Sequence, residues 1–346
     1  MSLEERYAVT PQMRAYDGAG RVWVPYLMYF HEPEYRSEVM NTDARGFRFV
    51  VGAGERVIKD FERRDGEPLC ILAGGSTAFG VGATCDAATI PSLLTREGEA
   101  LWLNFGGRAF SSTQEILLFM SHTPHLSGLR RVIILSGVNN LLLFYLSHEY
   151  ARDYGSFFSA TELRRLLVGE APSPSKGGGL RAIFRSLGLG ASEPLPAPPR
   201  PQIMRAIVDH DAEKQDLLHV LDRDIHNWQL FGRALGFEVT YALQPLASWV
   251  NKRPSPEEER LFNELDDHQG EAWRRVLREK MSKAQHAWFS AGLAEICRAR
   301  GVRFLDMNER LSTLGLDGRW IFVDRVHLTD EGNEHVARIL REEHAS

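Results

Sequence analysis

The stretch Leu69-Cys70-Ile71-Leu72-Ala73-Gly74-Gly75-Ser76-Thr77 decides how the chain is read. Its apolar run has no alternation, which describes a strand covered on both faces. Such strands belong to parallel sheets flanked by helices. Working outward, Ala100-Leu101-Trp102-Leu103-Asn104-Phe105 reads as a second strand that also ends in a Gly pair, and Arg131-Val132-Ile133-Ile134-Leu135-Ser136-Gly137 as a third. Helical spacing separates them, around Ile90 to Leu94 and from Ser112 to His122, where Ser112 and Glu115 have the spacing of a capping box. Strand, helix, strand, helix at this spacing predicts βαβ units. Phe237 to Leu243 and Val302 to Asp306 are the fourth and fifth strands. Helices are expected from about Asp211 to Leu235, twice between Pro256 and Arg300, and from Thr329 to Glu343, with Thr329 as N-cap. The whole predicts a single α/β domain with an insertion.

Two segments lie outside this alternation. Residues 1–66 are irregular, and are read as an N-terminal extension with some strand character. Its run Val24-Pro25-Tyr26-Leu27-Met28-Tyr29-Phe30 is apolar enough to pack on the core of the domain at 67–346. An insertion spans about 148–208, and seven of the chain's sixteen prolines fall between Ala171 and Pro201, beside Gly177-Gly178-Gly179. That composition reads as a loop and a candidate lid.

Charge and composition narrow the function. Asp plus Glu number 46 against 41 Lys plus Arg, a net charge of −5 that gives no basic footprint for nucleic acid. The first residues are charged, unlike a signal peptide. The most apolar stretch, Val132 to Leu146, is interrupted by Ser136, Gly137, Asn139 and Asn140, so no membrane helix is expected. Three scattered cysteines without a CxxC argue against a disulfide framework or a structural zinc. A soluble, cytoplasmic protein without cofactor or metal is the expectation.

Ligands of an open parallel sheet bind beyond the carboxyl ends of its strands. Four segments fall there. Gly74-Gly75-Ser76-Thr77 presents a serine that needs only a base to become a nucleophile. The turn lacks the Lys-Ser/Thr of a P-loop and the GxGxxG of a dinucleotide site. Asn104-Phe105-Gly106-Gly107-Arg108-Ala109-Phe110 lets backbone N–H groups face a cleft. Ser136-Gly137-Val138-Asn139-Asn140 offers a side-chain amide to a developing oxyanion. Asp324-Arg325-Val326-His327 puts a carboxylate within one turn of an imidazole. No second His or Cys lies at metal-ligand spacing, and His335 is expected on a solvated helix face. Each segment alone is most often a turn or a helix cap. Together, in this order, they supply the parts of acyl transfer.

In these four blocks the chain resembles the SGNH (GDSL-like) hydrolase superfamily over roughly residues 40–343, outside the insertion. Asp324-x-x-His327-Leu328-Thr329 is the most specific match, and Leu243-Gln244-Pro245 resembles the same family's sheet edge. The resemblance implies a three-layer α/β/α sandwich with a five-stranded parallel sheet (SGNH/flavodoxin-like). It also implies Ser76 as nucleophile, His327 as base and Asp324 as its orienting partner. The Ser76 N–H, the Ala109 N–H and the Asn139 amide would form the oxyanion hole, with Gly107 as a fallback donor. Two positions depart from the pattern: Ala109 stands where the second block usually ends in Gly, and Asn140 where the third usually has Asp. Three functions follow: a serine hydrolase of carboxylic esters or thioesters, an acyltransferase using the same residues, and a binding protein that has lost catalysis. Small-acyl esters on sugars, lipid esters and carrier-bound thioesters all suit such machinery, and no oligomeric state is implied.

Overall fold

The structure is a computed structural model and describes residues 3–146, 150–160, 163, 214–269 and 276–345. Ahead of the sheet the chain forms two short helices, α1 (Leu3–Val9) and α2 (Met13–Gly18). Two hairpins follow, β1 (Arg21–Val24) with β2 (Met28–His31) and β3 (Val50–Val51) with β4 (Val57–Ile58). The apolar runs then become β5 (Leu69–Gly74), β6 (Leu101–Gly106), β7 (Leu129–Ser136), β8 (Glu238–Leu243) and β9 (Arg303–Asp306). Their order across the sheet is β6-β5-β7-β8-β9, with every neighbouring pair parallel. The expected strands are all present.

The period of two along each strand splits the core into two layers. Leu69, Ile71 and Ala73 of β5 belong to one buried cluster, and Cys70 and Leu72 to the other. The helices are α3 (Ser76–Phe79), α4 (Ile90–Glu97), α5 (Ser112–His122), α6 (Val138–Leu146), α7 (Lys214–Leu235), α8 (Pro256–Gln269), α9 (Lys283–Arg300), α10 (Met307–Ser312) and α11 (Asp330–Ala345). The first cluster is closed by Phe119 of α5, Trp228 of α7 and Phe289 of α9. The second is closed by Leu94 of α4, Leu311 of α10 and Leu340 of α11. The result is the expected α/β/α sandwich.

One cap differs from expectation by a residue. The N-cap of α5 is Ser111, not Ser112, and the Ser111 N–H donates to Gln114 Oε1 at 3.0 Å. Glu115 is thereby rotated off the cap and into the core, where it accepts from Ser136 Oγ at 2.7 Å. At α11 the expected cap holds: the Gly332 N–H donates to Thr329 Oγ1 at 3.1 Å.

The extension contains the helices α1 and α2 as well as strands. Leu27, Tyr29 and Phe30 share the first buried cluster with the sheet, while Met13 and Tyr16 pack with Phe79, Val81 and Val323. Of the insertion read as a candidate lid at about 148–208, residues 150–160 and 163 are described and the rest lies outside the described residues. Among the described residues no helix is long and apolar enough to cross a membrane.

Sheet order positions the site. From β5 the chain passes to β6 on one side, then returns to β7 on the other. The connections that leave β5 and β7 at their carboxyl ends therefore run to opposite sides, the place where ligands of such sheets bind.

Candidate active site

Ser76 follows β5 directly, as the first residue of α3 behind the N-cap Gly75. Thr77 ties this turn to the distant loop before α11: its Oγ1 donates to the Val326 carbonyl at 3.3 Å and accepts from Gln244 Nε2 at 3.2 Å. That loop carries Asp324 and His327. His327 Nε2 lies 2.8 Å from Ser76 Oγ, and its Nδ1 lies 2.7 Å from Asp324 Oδ2. The other carboxylate oxygen, Oδ1, accepts the backbone N–H groups of Val326 at 2.8 Å and His327 at 2.7 Å. Burial pushes the Asp324 carboxyl up, but the charge and hydrogen bond of His327, helped by Arg6, hold it at about 2. An ionised Asp324 at Nδ1 keeps a proton there and leaves Nε2 as the acceptor facing the serine.

The three donors expected from the sequence belong to residues that line one cleft. The Ser76 and Ala109 N–H groups have no acceptor among the described residues. Ala109 sits at φ +62°, so alanine retains the backbone turn usually given to glycine. Asn139, in the first turn of α6, donates from Nδ2 to the Phe110 carbonyl at 2.8 Å, which leaves its second N–H for the cleft. Ser76, Ala109, Asn139, Asp324 and His327 all line one cleft of about 360 Å³. Leu142 and Leu146 line it too, three and seven residues after Asn139 on the same face of α6, with Phe158 beside them. Arg6 and Asp17 also line it, as a charged pair at 2.7 Å.

Two residues singled out in the sequence lie elsewhere. The Gly107 N–H donates to the Gly74 carbonyl at 2.9 Å as a continuation of the sheet ladder, so it is not a reserve oxyanion donor. Asn140 faces away from the cleft: its Nδ2 donates to Ser112 Oγ at 2.8 Å and its Oδ1 accepts the Ser112 N–H at 3.1 Å. The carboxylate of this network is Asp224 of α7, which accepts from Ser112 Oγ at 2.6 Å and Thr113 Oγ1 at 2.9 Å. His335 is half-buried on α11, 3.5 Å from Glu331. No group of three or more His, Cys, Asp or Glu is placed to hold a metal among the described residues.

The sequence reading missed the contribution of the extension. Arg6, Met13, Tyr16 and Asp17 line the cleft, and Tyr29 and His31 touch the loop that carries Ala109. The one signal for this was the apolar run at 24–30.

No family model and no curated protein matches the chain. Among solved structures it is similar to a lipase/acylhydrolase from Enterococcus faecalis, at 12% identity and TM-score 0.43 over 80% of this chain and 94% of that one. It is also similar to an extracellular lipase from Streptomyces rimosus, at 15% identity and TM-score 0.41 over 80% and 99%. A carbohydrate acetylesterase from Sinorhizobium meliloti aligns at 14% identity and TM-score 0.39 over 81% and 99%. Likeness at this level is loose, and what the site does is read from its own geometry.

Proposed function

We propose that this chain is a serine hydrolase that cleaves a carboxylic ester or thioester through an acyl-serine intermediate. The observation that carries the reading is the unbroken line Ser76 Oγ, His327, Asp324, with separations of 2.8 and 2.7 Å. In this reading Ser76 Oγ attacks the carbonyl carbon as its proton passes to His327 Nε2. The carbonyl oxygen becomes an oxyanion held by the Ser76 N–H, the Ala109 N–H and the Asn139 amide. His327 then gives its proton to the departing alcohol or thiol as that bond breaks. A water, deprotonated by the same Nε2, attacks the acyl-serine and releases the acid. The apolar face of Leu142 and Leu146 continues from Asn139, so it suits the acyl group, and the leaving group falls on the side of His327 and Arg6.

A fluorophosphonate probe tests the reading, since it phosphonylates only an activated serine. Labelling should be present in the wild type, absent in Ser76→Ala and strongly reduced in His327→Ala. A folded wild type that neither labels nor hydrolyses p-nitrophenyl esters would favour the binding-protein alternative. New ester formed in the presence of excess alcohol would instead identify a transferase.

A further inference from the structure

Resting on the serine-hydrolase reading, we propose that the N-terminal extension sets the geometry of the oxyanion hole, with Tyr29 and His31 as its positioning residues. The need for such a device begins at Ala109. Its φ of +62° lies in the left-handed region, which costs a non-glycine residue about 1 kcal/mol or more. A loop that pays this locally must be held from outside.

The holding groups come from β2 and α2. Tyr29 Oη donates to the Ala109 carbonyl at 2.7 Å. His31 Nε2 accepts the Arg108 N–H at 3.1 Å. Being two apart on β2, Tyr29 and His31 point the same way and reach the 109–110 and 107–108 peptides of one loop. The role of His31 is fixed by its other nitrogen: Nδ1 donates to the Gly46 carbonyl at 3.0 Å, so Nε2 carries no proton and is free to accept. Burial and the nearby arginines keep this ring neutral, well below its ordinary range. The Arg108 guanidinium completes the clamp, donating to the Tyr16 carbonyl at 3.0 Å and the Gly20 carbonyl at 2.8 Å at the end of α2. The peptides on either side of the 108–109 peptide, which carries the Ala109 N–H, are thus anchored in residues 16–31, and that N–H has no acceptor among the described residues. Tyr29 and His31 are both almost wholly buried, so neither touches substrate.

Tyr29→Phe tests this with little change in packing, because the ring still meets Phe110 edge-on at 5.9 Å. The readouts are kcat and KM for p-nitrophenyl acetate and Ki for an alkyl boronic acid, whose tetrahedral serine adduct places an oxygen where the oxyanion forms. Active molecules are counted by fluorophosphonate titration. A 1 Å misplacement costs about 100-fold, so loss of one tether should lower kcat about tenfold, with KM unchanged. The boronate Ki should weaken by the same factor. His31→Gln, which keeps an acceptor near the Nε2 position, should retain more activity and boronate affinity per active molecule than His31→Leu. Unchanged kcat and Ki in Tyr29→Phe would overturn the proposal. So would a lower kcat explained by fewer active molecules, with Ki intact. A wild type that neither turns over ester nor binds boronate would overturn the hydrolase reading itself, and this proposal with it.

Discussion

Gly75→Ala is the sharpest probe of Asn139 as an oxyanion donor. Gly75 has φ −83° and ψ −152°, extended backbone open to alanine, so the substitution stores no backbone strain. Its Cβ would lie 2.7 Å from Asn139 Nδ2, whereas ordinary contact begins at 3.4 Å. The amide must therefore retreat by about 0.7 Å, the difference of those two distances. It is a buried side chain held to the Phe110 carbonyl at 2.8 Å, so the retreat moves its cleft-facing N–H as well. Deleting an oxyanion donor costs about 100- to 1000-fold in kcat, and displacing one by about 1 Å up to about 100-fold. Gly75→Ala should then lose about 10- to 100-fold in kcat, with KM within about twofold. Asn139→Ala should lose at least about 100-fold. Because both changes act on one amide, the double variant should be no worse than Asn139→Ala alone. The assay is steady-state ester hydrolysis beside thermal unfolding, where Tm should move by no more than about 3 °C. A Gly75→Ala enzyme with nearly wild-type kcat, or losses that multiply in the double variant, would refute the reasoning.

Other expectations follow from the titrating and buried groups. Asp324 sits at about 2, below its ordinary 3.8, so its stabilisation is complete above about pH 4 and fades as the pH falls toward 2. Asp324→Asn should remove about 2 kcal/mol from the acid limb of a urea-unfolding series, and an unchanged limb would disprove the coupling. Glu115 is the opposite case: burial, with Asp224 adding to it, raises its carboxyl to about 8 despite the Ser136 hydrogen bond. Its unfolded form ionises first, so stability should fall from about pH 4.5 to 8, by up to about 5 kcal/mol. Glu115→Gln should flatten that decline relative to wild type, and parallel curves would sink the assignment. Glu258 pairs with the buried Lys252 and accepts the Ile321 and Phe322 N–H groups at 3.0 Å each. Glu258→Ala should cost about 3 kcal/mol and loosen the loop that carries Asp324, and a loss below about 1 kcal/mol would count against it.

What the sequence made legible follows from where each piece of chemistry keeps its information. Buried parallel strands must be apolar on both faces, so Leu69–Ala73 and Val132–Leu135 announce themselves by composition alone. Nucleophile, base and orienting acid depend on side-chain type. Ser76 after a Gly pair and Asp324 three residues before His327 could therefore be nominated before their 2.8 and 2.7 Å contacts were known. Registers were harder: Ser111 and Ser112 are both competent caps, and only packing decides that Glu115 turns inward. The same holds for Asn140, whose amide meets Ser112 although its neighbour Asn139 meets the cleft. Least legible was the support of the loop that carries Ala109. A backbone N–H has no residue signature, and neither does a carbonyl that anchors it. Sequence alone leaves Gly107 as a fallback to Ala109 as donor, and the sheet ladder takes the Gly107 N–H. Tyr29 and His31 do carry side-chain chemistry, but their partners are backbone atoms some eighty residues away. The active site therefore reads as two sets of parts. The side chains proposed to react are nameable from short sequence motifs, while the segment proposed to fix the loop beside them is distant and shows itself only once the chain is folded.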